Sequence, residues 1–214
     1  MFDAWPAQAA PAGGAALDQI AIATAAATVL TVAMLVLATG HRSGRLRWTR
    51  RLAARAERAT GLPGWAAVPS AIAGASLAVA LLGMYWDVAL HIDEGRDEGP
   101  LANPAHHLIL AGLFGVLAAA VAAIALPLER PGPAAVRIAP GWEAPAGGLL
   151  LLGCAAFALA GFPLDDGWHR LFGQDVTLWG PTHLMLIAGA SLTLLGVAVL
   201  LVEAGRSPDG DRLF

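Results

Sequence analysis

The chain has 214 residues, of which 57% are hydrophobic and only 14% are charged, with a net charge of −3. Soluble domains carry about 25% charged residues, so this balance belongs to the lipid-embedded class and argues against a soluble globular enzyme. Walker loops, GxSxG elbows and a GxGxxG between strand and helix are all missing, which sets aside nucleotide-binding and serine-hydrolase readings.

In chain order, apolar blocks of about 20 residues, the length that crosses a 30 Å hydrocarbon core, predict five spans at 17–39, 66–90, 104–126, 145–163 and 181–203, the fourth extending to Leu164 or beyond. Backbone groups in lipid must be satisfied within the segment, so each span is expected to be a helix. Pro69, Pro104, Pro145 and Pro181 fall at or near span starts, where a missing N–H costs little. The expected fold is an all-α polytopic bundle. Its parts are a first helix with an Arg-rich segment (1–64), two helical hairpins (65–130 and 140–205) and a tail (206–214).

The 13 basic residues are all Arg. Arg42, Arg45, Arg47, Arg50, Arg51, Arg55 and Arg58 lie between spans one and two against a single acid, Glu57. Arg130 and Arg137 follow span three, and Arg206 and Arg212 follow span five. The loops 91–103 and 163–180 hold only Arg96 and Arg170, together with Asp93, Glu94, Asp97, Glu98 and Asp175. The positive-inside rule then puts the N-terminus outside and the C-terminus in the cytoplasm, in the inner (plasma) membrane of the cell. An arginine cluster beside a span reads as topogenic, so no nucleic-acid partner is expected. Residues 46–59 form either a basic amphipathic helix on the anionic inner leaflet or a solvated stop-transfer loop. The first apolar run lacks a basic start and ends in arginines, as an uncleaved span does. Cys154, the single cysteine, lies mid-span and reads as a small apolar residue.

The two hairpins resemble each other. YWDVALH…NPAHHLILAG in the first matches PLDDGWH…GPTHLMLIAG in the second, the pattern of parallel repeats related by an axis along the membrane normal. Asp87 matches Asp165, His91 matches His169, and His106 matches His183. Five of the six histidines, these four and His107, lie at the same ends of spans two to five, away from His41. Intramembrane ionisable residues are costly and mark functional sites. Residues four apart share a helix face, so Asp87 with His91, and Asp165 with His169, can converge on one ion, and the loop returns His106 or His183 as a third ligand. Asp plus two His leaves open coordination positions, and helix C-termini favour a cation. These donors suit copper, iron or zinc. Of the competing neighbours, the alignment selects His106 over His107 and the Asp-x3-His interval selects Asp165 over Asp166. Asp166 is then free to hydrogen-bond to His169 or to face water. Tyr85, Trp86, Trp168 and Trp179 read as an aromatic belt.

At these six residues the sequence resembles the C subunit of the copper membrane monooxygenases, the particulate methane and ammonia monooxygenase family. That family carries an Asp-x3-His followed by a His about one loop later, and a second, similar set that begins with Asn where this chain has Asp165. The resemblance covers about residues 80–200. It implies copper ligands on the periplasmic side, hydroxylation of a small apolar substrate with dioxygen, and separate membrane subunits or further copies of this chain as partners. Two other readings follow from the residues themselves: a non-catalytic protein for copper handling or cofactor assembly, and a bundle whose Asp and His form an ion relay.

Overall fold

A computed structural model describes residues 15–94, 97, 99–173 and 178–207. Arg96, Glu98, Asp175, Arg212 and the rest of the tail lie outside the described residues. The described chain is all-α apart from one small hairpin. Its helices are α1 (Leu17–Arg42), α2 (Arg47–Thr60), α3 (Gly64–Asp93), α4 (Pro104–Ala125), α5 (Ala146–Phe172) and α6 (Pro181–Gly205). All but α2 are long and apolar enough to cross a membrane, as the sequence predicts. The fourth span, α5, extends beyond Leu164, as the sequence allows, and reaches Phe172. It carries Pro163 in its interior, where the ring removes a single hydrogen bond, and continues two more turns through Asp165 and His169.

The hairpins are held by small residues. A Cβ at Gly83 would meet Ile109, one at Gly112 would meet Ala80, and one at Gly115 would meet Ser76, so α3 and α4 run antiparallel with backbones nearly touching. Gly161 faces Leu186, Gly189 faces Ala158, and Gly147 faces Leu200, which gives α5 and α6 the same arrangement. Apolar lipid supplies no hydrophobic drive between helices, and close approach at small residues supplies dispersion contacts instead. Two clusters of buried side chains form the centre: Ala73, Val116, Ala119, Ala120, Leu151 and Ala155, and, nearer the Arg-rich end, Trp65, Ala66, Ala123, Leu200 and Ala204.

Residues 47–60 are helical, and α2 ends at Gly61, whose φ of +75° supplies the left-handed cap. Its buried Thr49 accepts from or donates to His41 Nδ1 at 2.7 Å. The other His41 nitrogen lies 3.2 Å from the Leu126 carbonyl. Next to it, Arg42 donates to the carbonyls of Pro127 (2.6 Å) and Gly141 (2.8 Å) and lies over the Trp142 ring at 4.5 Å. These contacts tie α1 and α2 to the loop after α4. That loop holds two short antiparallel strands, β1 (Val136–Ala139) and β2 (Trp142–Ala144), joined at Pro140–Gly141. The sequence pattern does not announce them, because seven strand residues in a polar loop give little periodicity. Glu203 caps the neighbouring helix start, accepting from the amides of Ala146 (2.9 Å) and Gly147 (2.8 Å). Arg42→Ala removes two charged hydrogen bonds and a cation–π contact, and it is expected to cost about 1–3 kcal/mol. A lowered midpoint in SDS-induced unfolding of the detergent-solubilised protein would register the loss.

Candidate metal centre

All six candidate ligands lie at the end of the bundle opposite the arginine segment. Asp87 and His91 occupy one face of the last turns of α3, and His106 sits in the first turn of α4. The His106 Nε2 is 3.0 Å from Asp87 Oδ1, and His91 Nε2 is 3.3 Å from the same oxygen. In the second hairpin, Asp165 and His169 occupy the end of α5 and His183 the first turn of α6. Here His169 Nε2 is 3.3 Å from Asp165 Oδ2, and His183 Nε2 is 3.3 Å from Asp165 Oδ1. Within each group the donor atoms all lie within 4.8 Å of one another.

These distances bear on whether a cation fits. An ion with nitrogen and oxygen donors at about 2.0–2.2 Å sets them about 3.4 Å apart in a tetrahedron and about 3 Å apart at right angles. The observed carboxylate–imidazole separations of 3.0–3.3 Å fall in that interval. Both groups could therefore hold a metal ion. The side chains are part-buried, with 12–20% of their surface exposed, so water reaches the clusters without competing on every side.

The surroundings orient the donors. His106 Nδ1 lies 2.9 Å from the Pro100 carbonyl, and His169 Nδ1 lies 3.2 Å from that of Gly173. A ring nitrogen facing a carbonyl carries a proton; Nε2, which donates to the carboxylate in the ion-free site, would turn its lone pair to a cation once its own proton left, the tautomer a ligand needs. Each carboxylate is held in turn by a residue at the start of the next helix. Asn103 Nδ2 donates to Asp87 Oδ1 at 2.7 Å, and Thr182 Oγ1 donates to Asp165 Oδ1. The Asn103 side chain also caps α4, its Oδ1 accepting from the Ala105 amide at 2.9 Å. Outer-shell partners of this kind typically contribute about 10–100-fold in metal affinity. Asn103→Ala is expected to weaken the first site by that factor and Thr182→Val the second, each sparing the other site, as read by titration of the purified protein with copper(II).

The six residues named from the sequence come together in two groups, and four neighbours that the sequence did not single out join them. Asp97, one of several loop acids, joins the first group: its Oδ2 is 3.4 Å from His91 Nε2 and 3.5 Å from His106 Nε2. Asn103 and Thr182 were detectable only as polar residues flanking Pro104 and Pro181. Phe162 packs edge-on against His106, with ring centroids 5.2 Å apart, and so joins the second hairpin to the first site. Of the neighbours left open, His107 is exposed and stands apart from the donors. Asp166 turns to Arg170, accepting at 2.8 and 3.0 Å, rather than to His169. Tyr85, Trp86 and Trp179 are exposed on the outside of the bundle, as belt residues are.

One further feature connects the two sites. A cavity of about 330 Å³ lies between the hairpins, lined by Asp87, His91 and His106 of one group, by Asp165 and His183 of the other, and otherwise almost wholly by aliphatic side chains of α3, α4 and α6. Comparison of the chain with protein-family models, curated proteins and solved structures finds no match.

Proposed function

We propose that the chain is an integral membrane copper protein and a monooxygenase-type subunit, with Asp87, His91 and His106 holding one ion and Asp165, His169 and His183 a second. The observation that carries this reading is the shared cavity: two donor groups open onto one apolar space, which a carrier that only hands on ions does not need. Copper bound there supplies redox chemistry with dioxygen. The residues of the chain do the rest. Carboxylate and imidazole donors fix the ions, Pro100 and Gly173 hold two rings in the binding tautomer, and the aliphatic walls exclude water and admit an apolar substrate.

The resemblance to the C subunit of copper membrane monooxygenases supports the choice of copper over iron or zinc, and the duplicated Asp-x3-His…His pattern supports descent of the two hairpins from one. Arginine placement supports an inner-membrane location with the sites on the outer face. The apolar surface of α1, where Leu17, Ile22, Val29, Val32, Leu35 and Val36 are all more than half exposed, is covered by lipid, by another copy of the chain or by a further membrane subunit.

A second reading, copper handling without catalysis, draws on Asp97. A fourth protein donor closes a tetrahedral site, as in structural rather than catalytic centres. Protein reconstituted with copper(I) and supplied with dioxygen, a two-electron reductant and an unbranched hydrocarbon separates the two. Hydroxylated product and matching oxygen uptake, both lost when zinc replaces copper, are expected of the subunit. Transfer of copper to a chelating acceptor with no product at any partner composition would favour handling.

A further inference from the structure

The cavity that joins the sites has a shape of its own. Its aliphatic lining includes Leu77, Leu81 and Met84 of α3, Leu113 of α4, and Leu186 and Leu194 of α6, and its charged groups are confined to one end. From His183 to Leu194 the α6 wall runs about 16 Å at 1.5 Å per residue, about half the thickness of a hydrocarbon core. Leu81 and Leu194 line the cavity and are also 50% and 58% exposed, so it opens sideways between α3 and α6 at the depth of the acyl chains. A water molecule takes up about 30 Å³ of liquid and a methylene is of similar bulk, so 330 Å³ holds roughly ten heavy atoms.

We propose that this cavity binds one unbranched, uncharged alkyl chain of about ten carbons, lying along α3 and α6 with one end beside Asp87, His91, Asp165 and His183. The site is far larger than a one-carbon substrate needs. It is also too small for a phospholipid, whose headgroup and two tails far exceed the roughly ten heavy atoms the space holds. The chain enters by the gap at Leu81 and Leu194 from the membrane itself, where such molecules concentrate. This identifies the substrate class of the site proposed above and rests on that reading for what the chain meets at the polar end. Binding of the chain itself needs only the walls.

Photolabelling tests it. The full-length protein in phosphatidylcholine nanodiscs is irradiated with butyl, decyl and hexadecyl diazirines, adducts are mapped by mass spectrometry, and copper content is measured on the same samples. Decyl adducts are expected on Leu81, Met84 and Leu194, saturable by decane and about tenfold or more above those of the butyl and hexadecyl probes. Ala190→Trp, which fills the cavity, should abolish them with copper content unchanged. Leu194→Ala, which lengthens it, should shift the preference towards the longer probe, and it serves as the test should the tryptophan variant not fold. Adducts without chain-length preference, adducts as frequent at lipid-facing Val29 and Leu195, or equal cavity labelling by a diazirine-tailed phosphatidylcholine would overturn the proposal. Saturable decyl labelling of a protein that binds no copper would leave the chain site standing and remove the metal reading; copper binding without decyl labelling would do the reverse.

Discussion

If the two clusters hold copper as proposed, His91→Ala is expected to release one of two ions and His169→Ala the other, with the remaining ion in each variant bound as tightly as before. Each cluster takes two donors from one helix end and one from the next, and no residue donates to both, so the losses should be separable. Removing an outer-shell partner alone costs about 10–100-fold in affinity, so loss of a ligand should exceed about 100-fold. Elemental analysis of detergent-purified protein, with isothermal titration of the apo form, measures both sites. Substoichiometric metal in the wild type, or parallel loss of both ions in either variant, would dismiss the assignment of two independent centres. Asp97→Asn adds a finer reading: if Asp97 is a donor, the first site should weaken while the second does not change.

The second large effect lies far from the donors. Gly147→Val puts a Cβ against the Leu200 amide nitrogen and 2.6 Å from its Cα, and Gly112→Leu puts one 2.6 Å from backbone atoms of Ala80 and Ser76. Over-packing in an ordinary core costs about 1–3 kcal/mol because side chains shift aside. Here the obstacle is backbone, the helices themselves must separate, and losses above about 3 kcal/mol are expected, with reduced yield of folded protein. A Cβ at Gly74 or Gly153 would meet nothing within 4 Å, so Gly74→Ala and Gly153→Ala should be neutral or stabilising by up to about 1 kcal/mol through helix propensity. SDS titration monitored by circular dichroism compares the four proteins. Equal stabilities would mean that the hairpins are not held at these glycines.

Much of this architecture could be read from residue order because a bilayer leaves few choices. Hydropathy marks each span, and a lipid-exposed backbone has to be helical. The Asp/His clusters were legible for a related reason: an ionisable residue near lipid is costly enough to stand out, and the i, i+4 interval of Asp87 and His91 carries its own geometry. Legibility fails where position depends on a loop. Asp97 reaches the first cluster through a turn whose path no periodicity encodes, while Asp93 and Glu94, of the same chemistry, do not join the donors. Asn103 and Thr182 serve equivalent carboxylates from non-equivalent positions, one before its proline and one after, so alignment of the hairpins could not pair them. The choice between Asp165 and Asp166 was recoverable only because a helix face admits one of two neighbours. The sequence left the end of the fourth span open at Leu164 or beyond, because a hydropathy block marks the apolar part of a helix and not the polar turns that carry Asp165 and His169.

The distribution of packing along the bundle has a mechanical consequence. At the arginine end, Trp65, Ala66, Ala123, Leu200 and Ala204 form a dry core, and His41 and Arg42 bolt the first helix to the loop after α4. At the opposite end, the tips of α3 to α6 meet mostly through half-exposed polar side chains. The four helices thus resemble tongs riveted at the handle, with jaws closed by polar contacts: in each hairpin a carboxylate, two imidazoles and the Asn103 or Thr182 side chain form the clasp, and Phe162 against His106 links one jaw to the other.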